Sequence, residues 1–146
     1  MSATNAFETS LLGLIITNAN AANVGDATGL RASSAAGVFW ISLHTANPNE
    51  TGDQTTSESA YTNYARQDEA RNTTQWTVTG NTADNDNAIG FPTGGASGST
   101  VTHFGLGSDT SGAGNLFLYG ALTASLAVSS GITPSFAAGA LDITLD

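Results

Sequence analysis

Short runs of strand-forming residues, cut by clusters of Gly, Asn, Asp, Ser and Thr roughly every 8 to 15 residues, restrict this chain more than any other feature. The spacing leaves no room for the crossover helices a parallel sheet needs, and no β–α–β alternation is visible. It predicts a mainly β chain, an antiparallel β-sandwich or barrel-like domain of about seven strands. The run GVFWISLHT predicts a strand from Val38 to about Thr45. Its middle, Val38-Phe39-Trp40-Ile41, is apolar at consecutive positions, so both faces of the strand must be covered. Further strands are predicted at Ala65–Arg71, Gln75–Thr79, Ala88–Phe91 (stopped by Pro92), Val101–Leu106 and Phe136–Leu145. Leu116–Leu126 reads as one long strand or a strand pair kinked at Gly120, and Asn81–Asn87, NTADNDN, as a loop.

One helix interrupts the pattern. Phe7, Leu11, Leu14 and Ile15 recur at helical spacing, and Asn5 followed by Glu8 reads as an N-cap with a carboxylate at N3. Asn18 to Asn23 ends it. Residues 23–36, NVGDATGLRASSAA, are small and polar and read as a flexible arm. The expected organisation is a helix and arm over residues 1–36 and a β domain over residues 37–146.

Composition narrows function by exclusion. Charged residues are 10% of the chain, against ~25% in an ordinary soluble domain. There is no lysine; Arg31, Arg66 and Arg71 face twelve acidic residues, for a net charge of -9. That charge repels phosphate backbones and anionic lipid, so neither nucleic acid nor membrane is an expected partner. With no cysteine there is neither a disulfide framework nor a thiolate metal site. The start, MSATNAFETS, lacks a basic n-region, and LLGLII is too short for a signal core or a membrane span, so folding in cytoplasm without export is expected.

The residues able to do chemistry are scattered. His44 shares a strand face with Ser42, an i, i+2 spacing that does not by itself aim the hydroxyl at the ring, and no GxSxG elbow is present. His44 is expected to pin the turn at Asn47-Pro48. His103 could meet His44 from another strand, but a metal site needs three or four ligands. Asp84-Asn85-Asp86-Asn87 has the alternate oxygens of a calcium loop. The positions that should hold a third oxygen ligand, a glycine and a terminal glutamate hold Ala88, Ile89 and Gly95, so a solvated turn is expected. Arg66 and Arg71 are each read as able to anchor a carboxylate, within the chain or on a partner, with an ordinary surface ion pair as the alternative. TGGASGS and SDTSGAGN lack the lysine of a phosphate loop and read as hairpin turns. No catalytic, cofactor-binding or metal site is assigned, and no enzyme activity is expected.

Several segments do form an ordered series: SLHTANPNETG, then YAR at Tyr64-Ala65-Arg66, then VTHFGLGS, GAGNLFLYGALT and TPSFAAGALDITL. Over residues 38–146 this series resembles small virion proteins of tailed bacteriophages, a family labelled tail-fibre-like or head-decoration. Asn47, Asn49 and Asp142 depart from the family pattern. The resemblance implies a non-enzymatic structural subunit of the virion, assembled in host cytoplasm. Capsid decoration is the role it puts first: a cement protein on the major capsid protein lattice, acting as a homo-oligomer such as a trimer. The alternative is a tail-tip or tail-fibre component, including a carbohydrate-binding host-recognition module that would use Trp40, Trp76, Tyr61, Tyr64 or Tyr119.

Overall fold

The computed structural model describes residues 3–25 and 29–145. In chain order it contains α1 (Asn5–Ile16), β1 (Val38–His44), β2 (Gln67–Ala70), β3 (Trp76–Thr79), β4 (Thr82–Asn85), β5 (Ile89–Gly90), β6 (Ser99–Gly107), β7 (Leu116–Val128), β8 (Ser135–Phe136) and β9 (Asp142–Thr144). The chain is mainly β, with several antiparallel sheets and one helix near the N-terminus, as the turn spacing predicts. It falls into two compact units: Met1–Gly37 with Ala70–Ala88 and Phe136–Asp146, and Val38–Glu69 with Ile89–Ser135.

The first unit packs α1 against β3 and β4 of the three-stranded sheet β3-β4-β9. The helix starts one residue earlier than expected. Thr4 is extended, at φ -92 and ψ 149, and its Oγ1 accepts the Phe7 amide, so Thr4 is the N-cap and Asn5 is already helical. The buried face is Glu8, Leu12 and Ile16, one position round from the predicted stripe, and Phe7 is 46% exposed. In LLGLII nearly every position is apolar, so periodicity alone does not select the face. Asn18, at φ 56, takes the left-handed conformation that ends helices, and the Ala19 amide returns to the Gly13 carbonyl.

β4 corrects the loop expected at Asn81–Asn87. Thr79 pairs with Thr82, leaving Gly80-Asn81 as a two-residue hairpin turn with Gly80 at φ 62. Trp76, Val78, Ala83 and Asn85 face inward with Ile143, while Thr77, Asp84 and Asp142 lie on the other face. Four apparently loop-forming residues are thus a central strand, held by β3 on one side and β9 on the other. The segment read as a flexible arm includes residues outside those described. Its described ends are tied: Ala21 and Leu30 exchange backbone hydrogen bonds, and the Asn18 amide group bonds both N–H and C=O of Ser33.

The second unit is built on the sheet β2-β1-β6-β7. β1 is internal, and Ile41, Ser42, Leu43 and His44 are all buried, so coverage of both faces holds for its second half. Val38 at its start is exposed. The core holds Phe39, Ile41, Leu43, Tyr61, Ile89, Phe91, Val101, Leu106 and Val128. β7 is a single strand with irregularities on both sides of Gly120: Gly107 lies opposite Leu116 and Leu106 opposite Leu118, which leaves Phe117 bulged. Ala121 lies opposite His103 and Leu126 opposite Val101, which leaves Leu122–Ser125 bulged.

Candidate functional site

The polar groups of the second unit converge where residues 53–59 and the β6–β7 connection meet β1. A local turn starts the arrangement. Asp53 Oδ1 accepts from the amides of Thr55 (2.8 Å) and Thr56 (3.1 Å) and from the Thr55 hydroxyl (2.6 Å). The Thr55 hydroxyl, ahead of the backbone amides, holds the Asp53 carboxyl below its ordinary range. The turn presents the Thr56 carbonyl to His44 Nδ1 at 2.9 Å. A carbonyl only accepts, so Nδ1 carries the proton, and Nε2 is left to accept from Ser42 Oγ at 2.8 Å. Ser42 and His44 are both 0% exposed. Burial lowers the His44 pKa below 6.5, against the Thr56 bond that raises it.

Two expectations change here. Strand register does aim the Ser42 hydroxyl at the ring, at the spacing of a nucleophile and its base. The pair is nevertheless sealed, and the ring's second nitrogen meets a backbone carbonyl, not an orienting carboxylate. A Cβ at Gly105 would stand 2.9 Å from both Ser42 Oγ and His44 Nε2, so only glycine lets β6 close over them. His44 also does not pin Asn47-Pro48. Asn47 holds that turn through its own side chain, accepting from the Asn49 amide at 2.8 Å, and Asn49 sits at φ 63. His103 lies directly opposite His44, as a converging pair would. Both His44 nitrogens are committed, however, and His103 Nδ1 sits 2.8 Å from the hydroxyl of Thr102.

Residues 57–59 run along the end of β1, with Thr45 N donating to Ser57 O and Ser59 N to Leu43 O, both at 2.8 Å. That places Glu58 against Arg66. The guanidinium grips both carboxylate oxygens, Nε to Oε1 at 2.7 Å and Nη2 to Oε2 at 2.8 Å. Its remaining donors reach the carbonyls of Asp109 (2.8 Å) and Gly112 (2.7 Å). Tyr64 completes the group: its hydroxyl donates to Glu58 Oε1 and accepts from the Leu43 amide. Burial pushes the Tyr64 phenol far up, so it stays a donor. Gln54, unremarked in the sequence, is fully buried and brackets Asp109, accepting its amide at 2.9 Å and donating to its carbonyl at 3.3 Å. Arg66 anchors a carboxylate as expected. Arg71 donates to three carbonyls, Ile15 (2.6 Å), Leu14 (2.9 Å) and Ala36 (3.0 Å), and so caps the C-terminal end of α1.

The Asp84–Asn87 stretch is likewise committed to structure. Asn85 is buried, donates to the carbonyls of Asn87 and Ala137, and accepts the amides of Ala140 and Leu141. Asp84 faces Asp142 across β4 and β9, and their side chains share a hydrogen bond that raises the Asp84 pKa, with burial next. Among the described residues no group of three or more His, Cys, Asp or Glu is placed to hold a metal ion. Of the five aromatic residues named for sugar stacking, Trp76 and Tyr61 are buried, Trp40 and Tyr64 half-buried, and Tyr119 alone is exposed, at 37%.

What this arrangement does is hold backbone: charged and polar side chains are spent on carbonyls, amides and each other. The surface is where unspent chemistry lies, chiefly along β7, where Phe117, Tyr119 and Leu126 are exposed. Residues 8–144 match the family model of the podophage GP4 fiber I protein gp80. The chain belongs to that family. Membership makes it a structural protein of the phage virion and places it in the particle. No curated protein matches the chain.

Proposed function

We propose that the chain is a structural module of the phage tail fibre, acting by packing and assembly without catalysis. The observation that carries this reading is the match of residues 8–144 to a podophage fiber protein family. It favours the tail-fibre alternative over capsid decoration, the role the sequence resemblance put first. Burial of the Ser42–His44 pair supports a non-enzymatic role, since a nucleophile must reach its substrate. The net charge of -9 supports protein neighbours over nucleic acid or membrane, and the proposed partners are further copies of the chain and other virion proteins.

Gold-labelled antibody against the protein, imaged on intact particles, tests the location. Label on the tail is expected; label over the head surface would return the protein to capsid decoration. Particles lacking the protein sharpen the distinction. Loss of host adsorption with heads that survive heating fits a fibre, whereas heads that burst on heating fit cement.

A further inference from the structure

β7 is the terminal strand of its sheet, so one of its edges meets no strand there. Its 13 residues, LFLYGALTASLAV, carry no charge. The opposite edge is β2, QDEA, where Asp68 and Glu69 sit. Charge on an edge strand repels an incoming strand, and its absence leaves a row of N–H and C=O groups open to one. Irregularities at Phe117 and at Leu122–Ser125 interrupt the edge, so its regular part is Leu118–Ala121, LYGA, about 13 Å long. Tyr119 is 37% exposed there, and Phe117, beside it, 52%. The segment is apolar, uncharged and free of proline, the composition that pairs with copies of itself.

We propose that Leu118–Ala121 is a self-association edge that pairs antiparallel with the same segment of a second copy of this chain, across a two-fold axis. Two copies each at -9 repel wherever their carboxylates meet, and this edge brings them together with none opposed. Pairing of β7 with β2 of another copy would set Asp68 and Glu69 against the neutral strand and would also propagate head to tail. The two-fold arrangement uses both open edges and closes. The two irregularities then bound the paired stretch. Four residues make a short contact, so the dimer depends on concentration. The inference does not rest on the fibre reading, and its failure would leave that reading in place.

Sedimentation of the full chain over a wide concentration range is the test. The expected result is a mass that doubles as concentration rises. Ala121→Lys and, separately, Tyr119→Lys should abolish the doubling while far-UV circular dichroism and the thermal midpoint stay unchanged. The chain has no cysteine, so single-cysteine reporters are clean. Tyr119→Cys should cross-link to a dimer under mild oxidation, and Thr45→Cys, outside the edge, should not. A monomer at every concentration, a three-copy mass, or a dimer that survives both lysine variants would overturn the proposal.

Discussion

His44 is the residue whose role depends most on its surroundings. Burial disfavours the charged ring and lowers its pKa below 6.5. Between that lowered value and 6.5 the unfolded chain binds the proton and the folded chain does not, so stability rises with pH through this window. The His44 contribution is fully present above 6.5 and is lost as pH falls toward the folded value. Urea midpoints taken from about pH 7.5 down to about pH 5 should therefore fall in the wild type and fall less in His44→Gln. Arg66 gives a larger effect at any neutral pH. Arg66→Ala strands the Glu58 carboxylate and two carbonyls, at a cost of about 3–5 kcal/mol in urea unfolding. Arg66→Lys should recover only part of that loss, because an ammonium cannot grip both carboxylate oxygens with one planar fork.

At the scale of elements, β4 shows how a strand can hide in loop composition. NTADNDN lacks β-branched residues apart from Thr82, and its asparagines and aspartates argue for a turn. Asn85 answers that propensity with four hydrogen bonds, to Asn87, Ala137, Ala140 and Leu141, which weld the strand to the segment leading into β9. Asn85→Ala should leave buried amides and carbonyls unpaired, costing about 1–3 kcal/mol for each group that water cannot reach, measured as a drop in the thermal midpoint. Asp84 and Asp142 act the other way. Directly opposed carboxylates on paired strands repel, and the shared hydrogen bond raises the Asp84 pKa above 3.8. The folded chain holds that proton longer than the unfolded chain, so this pair's stabilisation is present at low pH and lost as pH rises through the raised value. Asp84→Asn should add about 0.2–1 kcal/mol at neutral pH and nothing below the carboxylate range, read from melts at both pH values.

The whole molecule carries twelve acidic residues against three arginines. Arg66 is paired with Glu58, and the net charge of -9 is left to repel itself. Salt screens that repulsion over about 10 Å at 0.1 M. Raising sodium chloride from low millimolar to about 0.3 M should stabilise the chain by about 1 kcal/mol, a shift of roughly 2–4 °C in Tm. A flat or falling Tm would mean that local ion pairs outweigh the net charge. β7 carries none of these charges, and its edge is the one proposed above to meet a second copy.

The sequence by itself determined the class: turn punctuation, strand-forming runs in β1, β6 and β7, and a single helical stripe suffice for a mainly β chain with one N-terminal helix. It also located the strands at Val38, Trp76, Val101 and Leu116 to within a few residues, because alternation and turn chemistry are local properties; Phe136–Leu145, read as one strand, divides into β8 and β9. Four decisions waited for tertiary structure. They are the Ser42 hydroxyl meeting His44, Arg71 capping a helix 56 residues away, Gln54 bracketing Asp109, and β4 forming from a loop-like sequence. The last three depend on which distant backbone group lies within about 3 Å of a polar side chain, and the first on how the Thr56 carbonyl orients the His44 ring. Periodicity records which face a residue takes. The identity of its partner is set by strand register and by what closes over it, and those exist only once the sheets have formed.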